Sequence, residues 1–211
     1  MELDDIFAEA QRIYQLYDEG KLHEAQSQTL ELEKQRDSFE DDRKKALCGS
    51  YVALCLVDIG IATHDKDMVM RGIENFRDWA INHSEDDYRA VAFYNLANGH
   101  YGLWNLDASA HLKTARDADD HRLARHYYRE AIEHMQLSDV EDGLACQIWT
   151  NYGNSLDRIG RAVEAIDAYD TALRIQPGMG MALGNKGIAL SYLAPLWLGT
   201  PICFSWKPFV F

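Results

Sequence analysis

Between Trp149 and Leu190, small, aromatic and aliphatic residues recur at a spacing that packed helices satisfy and strands do not. Ala165, Ile166, Tyr169, Ala172 and Leu173 fall at i, i+1, i+4, i+7 and i+8, an apolar stripe of helical period. Trp149, Tyr152, Gly153 and Leu156 share one face of a preceding helix, and Gly160 breaks the chain between the two. The small residues Gly153 and Ala165 allow the two helices to lie close together and antiparallel. Pro177 ends the second helix, because it has no N–H for the next backbone bond. Leu183, Gly187 and Leu190 repeat Trp149, Gly153 and Leu156 at a distance of 34 residues, so a further first helix begins there.

Trp149, Tyr152, Gly153, Leu156, Ala165, Tyr169, Ala172 and Pro177 occupy the signature positions of a known unit. The stretch resembles the tetratricopeptide repeat, a helix-turn-helix unit of 34 residues whose copies stack into a continuous core. Looser copies lie upstream. Phe93, Leu96 and Ala97 look like part of a first helix, and Ala124, Tyr128 and Ala131 like its partner, with Asn105 to Asp120 between them as an extra segment. Gly20 and Ala25 supply a turn and a packing position near the N-terminus, and a further pair is expected from about 46 to 61 and from about 67 to 80.

Ser38 with Asp41, Ser84 with Asp87, and Ser138 with Glu141 each place a capping oxygen three residues before a carboxylate, which predicts helix starts. No sustained alternation of period 2 marks a strand. The expectation is an all-α chain, an α-solenoid of stacked antiparallel helix pairs. Residues 1–194 would form four pairs plus one helix from about 179 to 193, and 195–211 an irregular apolar tail. That tail holds three of the four prolines and is expected to fold back as a cap over the last helix.

All 34 acidic side chains lie at or before Asp170, whereas Arg174, Lys186 and Lys207 follow it; the formal charge is -13. A field of that sign repels phosphate backbones and anionic lipid, so neither a nucleic-acid nor a membrane partner is expected. The same field favours a basic or polar protein partner. Cys48, Cys55, Cys146 and Cys203 form no CxxC pair and read as core thiols of a reduced compartment. The acidic start MELDDIFAEA lacks the basic and apolar regions of a signal peptide, and a cytoplasmic location is expected. The oligomeric state is left open.

What the resemblance implies for function is a peptide groove built from the first helices. The polar residues available there are Asn95, Asn98, Asn151, Asn154, Arg158, Asn185 and Lys186. An amide side chain both donates and accepts, so a row of them can hold the backbone of an extended peptide. A subset of the family captures C-terminal carboxylates with two asparagines and several cations. Thr150 and Tyr94 stand where that clamp needs lysine, so no such clamp is expected.

No cofactor or catalytic motif rises above this background, and no enzyme is expected. His126, Glu130 and His134 share a helical face, yet a polar surface face explains them better than a metal does. Arg116 and His121 in RDADDH resemble the Arg and His of HEPN ribonucleases, which implies an alternative role as the regulatory part of a larger effector. Asp117, Asp119 and Asp120 beside them would repel RNA, and the stretch reads more simply as a solvated loop before a helix.

Overall fold

The computed structural model describes residues 3–82, 86–111 and 119–198, and the described residues are all-α, without a strand. The helices are α1 (Leu3–Asp18), α2 (Leu22–Asp37), α3 (Asp42–Thr63), α4 (Lys66–Asn82), α5 (Asp86–His111), α6 (Asp119–Gln136), α7 (Asp142–Asp157), α8 (Ala162–Ile175) and α9 (Gly180–Leu198). They fall into two compact units, 1–141 and 142–211.

In the first unit each helix packs on its sequence neighbours, and α3 also touches α1 and α5. That position explains the composition of α3. Cys48, Val52, Cys55, Leu56 and Ile59 join Ile6, Ile13 and Leu32 in one core, while Ala53 and Val57 join Val69, Ile73, Phe76 and Leu96 in another. A helix with a core on two sides must be apolar nearly all round. Residues 44–63 are for that reason also long and apolar enough to meet the length and composition of a membrane span.

Three of the turns between paired helices are built alike. Gly20 and Gly160 adopt left-handed φ values of 75° and 78°, and His64 does so at 60°. The residue after each donates its N–H five residues back: Lys21 to Leu16 O at 2.8 Å, Asp65 to Gly60 O at 2.8 Å and Arg161 to Leu156 O at 3.1 Å. This is the bond that satisfies the orphan carbonyls of a helix end and requires a left-handed residue. The first and fourth pairs use glycine there; the second holds a histidine in a conformation costly for a side chain with a Cβ.

Several helix boundaries differ from expectation. Ser38 and Ser138 turn back to close the end of the preceding helix, donating to Gln35 O at 2.6 Å and His134 O at 3.0 Å. Asp41 caps α3, accepting from Lys44 N at 3.0 Å, and Asp65 caps α4, accepting from Met68 N at 3.0 Å. Asp41 and Asp65 each sit directly before the first helical residue, the position from which a side-chain oxygen reaches the unpaired N–H groups. Ser84 lies outside the described residues. Much of the extra segment after Asn105 is helix: α5 runs on to His111, with Leu103 and Trp104 buried along it. The last helix continues past 194 to Leu198, through Pro195. A proline in a final turn removes one backbone bond only, which a helix end tolerates. The expected cap formed by the tail falls on 199–211, outside the described residues.

In the second unit α8 packs on both α7 and α9. Leu156, Ala165, Tyr169 and Ala189 form one core cluster, and Cys146, Ala172 and Ala182 another.

Candidate functional site

The predicted polar positions on α7 and α9 converge through one tyrosine. Tyr169 of α8 is buried, and its ring lies over Gly153, where a Cβ would stand 2.6 Å from Cε1. Its hydroxyl donates to Asn154 Oδ1 at 2.9 Å. The same oxygen accepts from Asn185 Nδ2 at 2.7 Å, and Asn154 Nδ2 reaches Asn151 Oδ1 at 3.4 Å. A ladder of three half-buried amides therefore runs from α7 to α9, pinned from behind by a core phenol. Fixing an amide by two acceptor bonds at one oxygen orients its N–H groups, so the ladder is preorganised before anything binds.

The other predicted residues of this unit are placed differently. Lys186 is tied in an ion pair to Asp170 on α8. Arg158 lies one residue beyond the end of α7, in the turn, and is exposed. Beside it the Asp157 carboxyl is pushed up by burial and partly drawn back by the Arg158 charge.

The first unit repeats the tyrosine device. Tyr128 of α6 is fully buried and donates to Asn98 Oδ1 on α5 at 2.7 Å. Tyrosine follows asparagine by 30 residues there and by 15 in the second unit, and the difference is accommodated by the longer α5 and the connection after it. Asn95, by contrast, is drawn inward: it is 7% exposed and its amide donates to Val91 O of its own helix at 3.0 Å.

Burial defines the surroundings of His121. It is fully buried in α6, with Trp104 edge-on at 4.7 Å and Tyr101 at 6.0 Å, and its Nδ1 meets Arg125. It is thus part of the α5/α6 packing rather than of a solvated loop, and Arg116 lies outside the described residues. His126 and Glu130 approach to 3.7 Å, while His134 stacks on Phe93 at 5.3 Å, so the helical trio does not converge. Among the described residues no group of three or more His, Cys, Asp or Glu side chains is arranged to hold a metal ion.

Cys48, Cys55 and Cys146 are buried free thiols, as read from the sequence. Burial pushes the Cys55 thiol up to about 12 and Cys48 to about 11, which leaves them as inert core groups rather than nucleophiles.

Two features escaped sequence reasoning. Tyr14 of α1 donates to Asp58 Oδ2 of α3 at 2.8 Å, and burial raises the Asp58 carboxyl above its ordinary value. The signal was available, since Asp58 is the only charged residue between Lys45 and Asp65. The second is a cleft of about 490 Å³ between α1 and α3, walled by Phe7, Tyr14, Tyr51 and Leu54 and edged by Asp18 and Glu19. Its residues come from distant parts of the sequence, and no local pattern announces them.

No protein-family model matches the chain, and no curated protein matches it.

Proposed function

We propose that this chain is a helical-repeat interaction module of tetratricopeptide type, binding a peptide or helix of a partner protein across its first helices. The observation that carries the proposal is the amide ladder of Asn151, Asn154 and Asn185, held by Tyr169. This row is half-exposed and spans two successive first helices, the direction an extended peptide would follow. The repeated left-handed turn and the repeated bond from tyrosine to asparagine support the family assignment independently of the sequence pattern. In this role the module has no catalytic residue, needs no cofactor, and acts in the cytoplasm on a basic or polar partner.

The test is retention of partners by the immobilised full chain against a variant carrying Asn151→Ala and Asn185→Ala. Asn154 is left in place, because its removal would strand the buried Tyr169 hydroxyl. A partner held by the parent chain and lost from the equally folded variant supports the proposal. Equal retention by both would move the interface elsewhere.

A further inference from the structure

The cleft between α1 and α3 has a chemistry of its own. Along α1, Phe7, Gln11, Tyr14 and Asp18 recur at helical spacing on the face that borders α3, while Ile6, Ala10 and Ile13 are buried. From α3, Tyr51 closes the other wall, its ring 5.9 Å from that of Phe7 at an interplanar angle of 57°. Tyr14 cannot swing away, because its hydroxyl is tied to the carboxylate of Asp58 behind it. The cleft is therefore a preformed slot between aromatic faces that is closed at its polar end by acids.

Charge selects the occupant. Among the described residues, no basic side chain lines the cleft. Glu19 is half-satisfied by Lys21 at 2.8 Å and by Gln15 at 3.0 Å, whereas Asp18 is exposed at the mouth. Aromatic faces attract a cation through their quadrupole, and the planar guanidinium does so while presenting a fork of N–H donors that fits a carboxylate. The three-carbon stem of an arginine has apolar walls to lie against in Leu54 and Phe7. We infer that the α1/α3 cleft takes an arginine side chain of the partner protein. This rests on the interaction-module function proposed above and names one contact the partner makes.

The experiment is an NMR titration of the full 24.1 kDa chain with Nα-acetylarginine amide, set against the isosteric but uncharged citrulline amide. Arginine should shift amides of α1 and α3 around Tyr14, Asp18 and Tyr51, and citrulline should not. Asp18→Asn, an exposed change that leaves the fold intact, should weaken arginine binding about fivefold, in the range of a surface ion pair. Tyr51→Leu, which keeps the wall apolar, should weaken it similarly. Equal shifts from citrulline, shifts away from the cleft, or indifference to Asp18→Asn would overturn the inference. If the cleft ignores arginine while the asparagine variant still loses its partner, the cleft is wrong and the module stands. If arginine binds in the cleft but no partner depends on the asparagines, the cleft stands and the ladder is not the interface.

Discussion

Gly153 on α7 and Gly187 on α9 lie 34 residues apart, yet their surroundings differ, and the same substitution should therefore act differently at the two. A Cβ at Gly153 would lie 2.6, 2.8 and 3.1 Å from three carbons of the Tyr169 ring, whereas at Gly187 nothing stands within 4 Å among the described residues. Replacing glycine by alanine inside a helix is worth about 1 kcal/mol in propensity. At Gly187 no described residue opposes that gain, so Gly187→Ala should stabilise by about 1 kcal/mol. At Gly153 the ring is buried and cannot retreat without straining its bond to Asn154. Overpacking of this kind costs about 1–3 kcal/mol, which leaves Gly153→Ala neutral to about 2 kcal/mol destabilising. The gap between the two variants is then about 1–3 kcal/mol. Urea unfolding followed by far-UV circular dichroism gives the two values, with amide hydrogen exchange across 142–175 confirming that the affected unit is the one substituted. Equal stabilisation by both variants would refute the placement of Tyr169 against α7.

Three further outcomes are expected. The raised Asp58 carboxyl favours its protonated form in the folded state, so its contribution is fully present at low pH and is lost as pH rises from the ordinary aspartate value through the raised one; Asp58→Asn, which still accepts from Tyr14, should remove that loss and be the more stable form at neutral pH, and a uniform penalty at every pH would contradict this. His64→Gly should stabilise by about 1 kcal/mol by relieving a left-handed conformation, read as a raised urea midpoint with an unchanged slope. Cys48, Cys55 and Cys146 should resist N-ethylmaleimide in the native chain and react on unfolding, as mapped by peptide mass spectrometry; rapid native labelling of any of the three would contradict their burial.

The pair α7 and α8 was legible because each signature residue does one local job that its chemistry dictates: Gly160 turns, Gly153 yields to a ring, and Ala165 lets the helices close. The all-helical class followed from the same periodicities. What sequence reasoning missed depends on partners distant along the chain. Lys186 and Asn95 both read as groove residues, but Lys186 is paired with Asp170 across the helix interface, and Asn95 is buried with its amide turned to Val91 O of its own helix. The left-handed His64 was illegible because residue type alone points to glycine for that role. Serines that look like caps can equally well close the helix behind them, as Ser38 and Ser138 do. Of the candidate site, the residues of the ladder are readable in the sequence, but Tyr169, which organises it, reads there only as a packing residue.

The most direct test of the ladder as a binding site is to select a peptide from a displayed random library on the full chain and measure its affinity by calorimetry for the parent and for Asn185→Ala. Asn185 hangs on the ladder by its bond to Asn154 and is not required to satisfy the buried Tyr169, so stability should scarcely change. Loss of one or two hydrogen bonds to a bound backbone corresponds to roughly a five- to thirtyfold weakening. An unchanged affinity in a folded variant would contradict the assignment of the ladder as the interface.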